Sequence, residues 1–176
     1  VCGAESLSLF FFKQRTAYEI GLGLVGWGVC IGAGLAADAG ARVLAGGTDL
    51  LVRLRAGHIE PSSIVDIKRI AGMNEITSEE GGWRIGAGVS CAAMGEHAGL
   101  KADYPGVVEG AELIGSTQVQ GRCTMVGNLC NAGPAGDSVP AMVAAGATVR
   151  VAGPRRTRAV PGIEIPASPC EHSPTP

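Results

Sequence analysis

The chain has 176 residues, 46% of them hydrophobic, a formal net charge of -2 and no long run of Lys or Arg. That is enough apolar material for one domain with a core. The near-neutral balance argues against nucleic acid or an anionic membrane surface as the main partner. Gly is abundant at 28 residues and aromatics are scarce at 4%, which suits close backbone packing and ligand contacts made by the main chain.

The first thirty residues differ from the rest. Leu9-Phe10-Phe11-Phe12 is an apolar run followed by Lys13-Gln14-Arg15, and Phe10 to Ile20 resembles translated sequencing-adapter sequence. Ile20 to Ala37 carries no charge and approaches the lower limit for a membrane span of about 17–25 residues. Basic residues upstream also imitate a signal peptide. Its Gly content and its direct run into a globular pattern weigh against both, and residues 1–30 are read as an atypical, non-native segment. Gly21-Leu22-Gly23-Leu24-Val25-Gly26 fits a dinucleotide-binding spacing, but no credible strand precedes it.

Regular elements begin near residue 35. Leu35 to Ala39 reads as a helix end stopped by Gly40, and Ala41 to Ala45 as a strand. Gly46-Gly47 makes a turn. Leu50 to Ala56 follows as a helix with apolar residues at 50, 51 and 54 and Gly57 as its stop. Ser63 to Ile67 reads as a buried strand. Asn74–Ser78 and Trp83–Ala87 flank Glu79-Glu80-Gly81-Gly82 as a hairpin. Helices follow at Cys91–Ala98, with Ser90 as N-cap, and at Tyr104–Leu113, with Pro105 in its first turn. Gly115 to Gly127 reads as irregular, Pro134–Ala145 as a helix, Ala147–Val151 as a strand and Gly153-Pro154 as a turn. After Pro161 the pattern decays into a Pro-rich, disordered tail, 162–176.

Two segments carry the chemistry. In Ala45-Gly46-Gly47-Thr48-Asp49-Leu50 a Gly pair lets the backbone approach a ligand with no Cβ in the way. The first N–H groups of the helix that follows lack partners, a combination suited to a pyrophosphate. Thr48 adds a hydroxyl, and Asp49 reads as the helix cap. The second segment, Thr124 to Ser138, gathers Thr124, Gly127, Asn128, Asn131, Asp137 and Ser138, donors and acceptors that can wrap a polar ligand. Asp137 could accept from ribose hydroxyls. An ordinary strand–turn–helix corner and a long loop with Asx-turns account for the same residues.

Other residues read plainly. The six cysteines form no C-x-x-C pair and read as reduced thiols of a cytoplasmic protein. His58, His97 and His172 have no metal-ligand spacing, so no metal site is expected. His58 reads as a helix-end residue, His97 as solvent-side, Trp83 as hairpin packing, and Asp66 and Lys68 as surface.

Ala41–Leu54, Ile64–Ile67, Ile85–Val89, Ile114–Gln120 and Thr124–Pro140 resemble, in matching order, the FAD-binding medium subunit of molybdenum hydroxylases of the carbon monoxide dehydrogenase and xanthine dehydrogenase type. The resemblance covers about residues 35–161. It implies an α/β (α+β) fold of two small α/β subdomains with FAD between them, in a domain at 31–161. It implies that Ala45 to Leu50 lines the pyrophosphate, that Thr124, Gly127 and Asn128 stand in the family's T-x-G-G-N segment, that Asp137 lies near the cofactor, and that Ile114 lies near the flavin.

It further implies an oxidoreductase flavoprotein subunit that passes electrons from an iron–sulfur small subunit, via FAD, to an external acceptor. A molybdenum-cofactor large subunit hydroxylates the substrate, so no catalytic acid or base is nominated here. Neither nucleic acid nor membrane is expected as a partner. Val126 replaces the first Gly of the family's pair. If that position needs φ > 0, Val there is strained by about 1–3 kcal/mol. The family's C-terminal domain is missing, so the alternative is a truncated, non-catalytic remnant without bound cofactor.

Overall fold

A computed structural model describes residues 6–12, 38, 40–79, 81–133, 135–152 and 157–162. The Leu35–Ala39 helix end, the Ile20–Ala37 stretch, the Gly21–Gly26 motif, the Gly153-Pro154 turn and the tail beyond 162 lie wholly or mostly outside the described residues.

The first layer is a small βαβ unit. Strand β2, Arg42–Leu44, leads through the Gly46-Gly47 turn to helix α1, Leu50–Arg55, which returns to β3, Ile64–Asp66. β2 and β3 pair in parallel, Val43 opposite Val65, as a crossover connection permits. Gly57, at φ 70, ends the chain's helical run where the sequence placed the stop. One expectation fails here. β3 is not buried: Ile64 is 40% exposed. The helix α1 forms as expected, with Leu51 39% and Val52 64% exposed. Periodicity reports a face, and burial needs a second element over that face. A single 3₁₀ turn, Ile67–Arg69, follows β3, with the Asp66 carboxylate accepting the Lys68 N–H at 3.0 Å.

The second layer is a five-stranded sheet in the order β4-β5-β1-β6-β7. Its members are β1, Ser6–Phe12, the hairpin β4, Ile76–Glu79, and β5, Gly82–Ile85, and then β6, Thr148–Ala152, and β7, Thr157–Pro161. β1 comes from the atypical N-terminal stretch and lies at the centre, parallel to both neighbours; its Leu9 stands opposite Ile85 and Val149. The β4–β5 hairpin turns as expected, with Gly81 at φ 82, and β6 starts within a residue of the expected strand. β7 is an unanticipated strand. It ends on Pro161, a residue confined to edge strands and strand ends because it cannot donate to a ladder.

Helices cover the sheet: α2, Cys91–Glu96, α3, Ala98–Asp103, α4, Pro105–Glu112, α5, Thr117–Gln120, α6, Met125–Asn131, and α7, Ser138–Ala144. Ser90 caps α2 by accepting the Ala93 N–H at 3.2 Å. The helix expected over Cys91–Ala98 breaks at His97, whose Nδ1 accepts the Leu100 N–H at 3.0 Å and so caps α3. His97 is therefore no free solvent-side residue; its ring meets Trp83 edge-on at 4.8 Å. Trp83 in turn donates to Asp103 at 2.7 Å, tying the hairpin to α3.

Gly110 lets α4 press on α7: a Cβ there would lie 2.9 Å from that of Ala141. Ile85, Met94, Leu100, Val108, Met125, Leu129, Met142 and Val149 are fully buried between sheet and helices. Each large apolar side chain so placed contributes about 1.5–3 kcal/mol. Among the described residues no helix is long and apolar enough to cross a membrane.

Candidate functional site

Gly46 is where the two layers meet. A Cβ on Gly46 would lie 2.2 Å from the Arg122 carbonyl oxygen and 2.9 Å from the Cys123 Cα. No side chain fits there, so the turn after β2 lies directly on the backbone that leads into Thr124. Gly47 completes the turn at φ 82, a conformation open to Gly without cost. The turn of the first segment is thus in van der Waals contact with Arg122 and Cys123, the two residues that lead into the second segment.

The first segment presents unused donors. Leu51 N–H closes onto the Gly47 carbonyl at 3.0 Å. Among the described residues the N–H groups of Gly46, Gly47, Thr48, Asp49 and Leu50 make no hydrogen bond. Asp49 stands at the N-cap position of α1 but makes no side-chain cap bond, contrary to the reading that it caps the helix. Its backbone is already αR (φ -98, ψ -47), whereas a capping side chain works from an extended residue.

The second segment is not the irregular loop that its Gly and Asn content suggested. Thr124 is extended, buried, and caps α6, its hydroxyl accepting the Gly127 N–H at 2.9 Å. Gly127 gives that hydroxyl room, since a Cβ would lie 2.8 Å from it. Val126 lies in the first turn of the helix. Ala132 is the only non-Gly residue with positive φ among those described, so the expected Val126 strain is absent. Val126 is instead a core residue, 4% exposed.

Asn128 Nδ2 donates to Ser138 Oγ at 2.8 Å, bringing α6 to the start of α7, where Asp137 stands. Asp137 is exposed and gives α7 no side-chain cap. Ile114 packs against the core just after α4, and no hydrogen bond ties it to either segment among the described residues. Ala45 and Leu50 are half-buried on the two sides of the turn, and Thr48 is half-buried within it.

Two features escaped sequence reasoning. Lys68, read as surface, donates from Nζ to the Ala45 carbonyl at 2.7 Å. Cys91 and Cys123, beneath the turn, are free thiols joined through the backbone, the Cys91 N–H donating to the Cys123 carbonyl at 2.9 Å, and burial pushes both thiol pKa values up. Such thiols are poor nucleophiles and metal ligands. No group of three His, Cys, Asp or Glu among the described residues could hold a metal. Among the described residues the two segments offer backbone N–H donors, the hydroxyls of Thr48 and Thr124 and the carboxylates of Asp49 and Asp137.

Residues 32–169 match the family described as the FAD binding domain in molybdopterin dehydrogenase. The chain belongs to this family. FAD is the cofactor for which the family's domain is described, and a glycine turn whose amides make no hydrogen bond among the described residues fits its phosphates. Relatives of this FAD-binding chain include the nicotinate dehydrogenase FAD-subunit of Eubacterium barkeri, 32% identical over 66% of this chain and 39% of its own length. The xanthine dehydrogenase FAD-binding subunit of Escherichia coli O157:H7 is 32% identical over 72% of this chain and 44% of its own. The chain spans less than half the length of these relatives. Among solved structures, carbon monoxide dehydrogenase from Hydrogenophaga pseudoflava, in a form lacking the Mo-pyranopterin moiety, shares the fold with a TM-score of 0.73. It is 23% identical, across 90% of this chain and 51% of that one.

Proposed function

We propose that the domain at 31–161 is the FAD-binding part of an oxidoreductase flavoprotein subunit of the molybdenum hydroxylase type. The observation that carries this reading is the contact of the Gly46 turn with Arg122 and Cys123, which lead into Thr124, beside N–H groups of Gly46 to Leu50 that make no hydrogen bond among the described residues. In this proposal Ala45, Gly46, Gly47, Thr48, Asp49 and Leu50 receive the pyrophosphate. Thr124, Gly127 and Asn128 wall it from the other side, Asp137 accepts from ribose hydroxyls, and Ile114 stands near the flavin. When bound, FAD supplies the redox chemistry by which electrons from an iron–sulfur subunit reach an external acceptor.

The residues of this chain bind and orient; none of them acts as catalytic acid or base. The partners in this reading are a molybdenum-cofactor large subunit and an iron–sulfur small subunit, as the likeness to carbon monoxide and xanthine dehydrogenase chains supports. A cytoplasmic setting with reduced thiols is part of this reading.

The test is direct. The purified chain is mixed with FAD, free flavin is removed, and the visible spectrum is recorded. A retained flavin band is expected. Its absence would favour the other reading, a folded remnant without cofactor.

A further inference from the structure

We propose that Lys68 is the positioning residue of the candidate cofactor turn, holding the Ala45 carbonyl so that the Gly46 N–H is aimed at the ligand's phosphates. The inference rests on the FAD reading and adds to it a residue outside both motif segments.

Lys68 is clamped from several directions. Its backbone N–H donates to the Asp66 carboxylate at 3.0 Å, and its carbonyl accepts from Asn74 Nδ2. Its stem runs past Gly88, where a Cβ would stand 3.4 Å from Lys68 Cγ. Its ammonium is shared between Asp66 Oδ1 at 2.8 Å and the Ala45 carbonyl at 2.7 Å. The ammonium is therefore placed by its surroundings, and the Ala45 carbonyl is placed by the ammonium.

The consequence passes through one peptide plane. The described residues contain no cis peptide bond. In a planar trans unit the C=O and the next N–H point in opposite directions. With the Ala45 oxygen fixed on Lys68, the Gly46 N–H must face away from it. That N–H has no partner among the described residues. On its other side Gly46 is wedged against Arg122 and Cys123, so the unit cannot rotate freely. A charge-assisted bond to the carbonyl also polarises the peptide and strengthens the Gly46 N–H as a donor. Lys68 thus acts on the phosphates through Gly46.

The full chain is titrated with FAD and, separately, with riboflavin, which has the flavin ring and no phosphate. Lys68→Met keeps the stem and removes the charge and the donors. It is expected to raise the Kd for FAD about tenfold, the loss of one well-placed charge-assisted bond. The Kd for riboflavin should stay unchanged, and the Gly46 amide resonance should shift in the free protein. Lys68→Arg, which restores charge and donors, should recover most of the FAD affinity. If Lys68→Met fails to fold, Lys68→Gln is read in the same way.

FAD affinity unchanged in the neutral variant overturns the inference while leaving the functional reading intact. FAD and riboflavin weakened together also overturn it, since that marks general damage to the domain. A wild-type chain that binds riboflavin and FAD equally, or binds neither, sinks the functional reading and this inference with it.

Discussion

Gly46–Leu50 and Thr124–Asn128 are linked through the contact of Gly46 with Arg122 and Cys123, and the two are built by opposite means. The first is a turn kept open by glycine, its amides without hydrogen-bond partners among the described residues and its middle residues half exposed. The second is the start of a helix, closed by the Thr124 cap and sealed by the buried side chains of Met125 and Val126. One segment contributes donors, and the other contributes a rigid wall on which the first is registered. The cradle therefore depends on a backbone contact more than on any single side chain.

That comparison can be broken most severely at the contact itself. Gly46→Val would drive a side chain into the Arg122 carbonyl, and either the turn or the α6 entry must move. A loss of about 3 kcal/mol in urea unfolding is expected, with FAD retention abolished. Unchanged stability would mean that Gly46 does not press on Arg122 and Cys123.

Val126→Gly separates the strain reading from the wall reading. The structure predicts a loss of about 2 kcal/mol from lost core packing and helix propensity, with no gain in FAD affinity. Tighter FAD binding would restore the strained-backbone account. Thr124→Ala removes the α6 cap and should cost about 1 kcal/mol, with Thr124→Ser close to wild type. Both are read from denaturant midpoints. Ala132, the left-handed C-cap of α6 at φ 49, offers the reverse test. Ala132→Gly should gain about 1 kcal/mol, because it relieves a conformation that only Gly adopts freely.

The smallest effect concerns the approach to β2. Asp38 accepts from Ser62, Ser63 and the Gly40 N–H, and these bonds, the Ser62 hydroxyl foremost, hold its pKa below the usual 3.8. A depressed carboxylate stabilises the fold above its unfolded pKa, and that stability is lost as pH falls through the folded value. Asp38→Ala should lower stability slightly at neutral pH and leave it nearly unchanged at pH below the folded value, so that the acid limb of the stability profile flattens. An acid limb identical to wild type would show that these bonds contribute nothing.

The same contrast explains what the sequence reveals and what it hides. The Gly46-Gly47 turn, the β4–β5 hairpin and the Ser90 cap are local events, each set by a few residues whose conformational demands are plain from their type. The helix from Met125 is hidden because Gly127 and Asn128 are poor helix formers, and the burial of Met125, Val126 and Leu129 on the same helix outweighs propensity. The break at His97 is hidden for a related reason, since a capping imidazole is rarely read as a helix signal. The exposure of Ile64 and Val52 is invisible locally, because it depends on what covers them. Among site residues, Ala45 to Leu50 and Thr124 to Asn128 were legible as polar, Gly-bearing segments. Lys68 was not, because its role exists only when β3 lies beside β2 and brings the ammonium to the Ala45 carbonyl.

The central claim is that the two segments form one cradle, and amide chemical shifts of the wild-type chain during an FAD titration test it most directly. The Gly46 and Gly47 resonances should move together with those of Met125 and Val126, along a single binding isotherm. Movement in one segment while the other stays still would contradict the account.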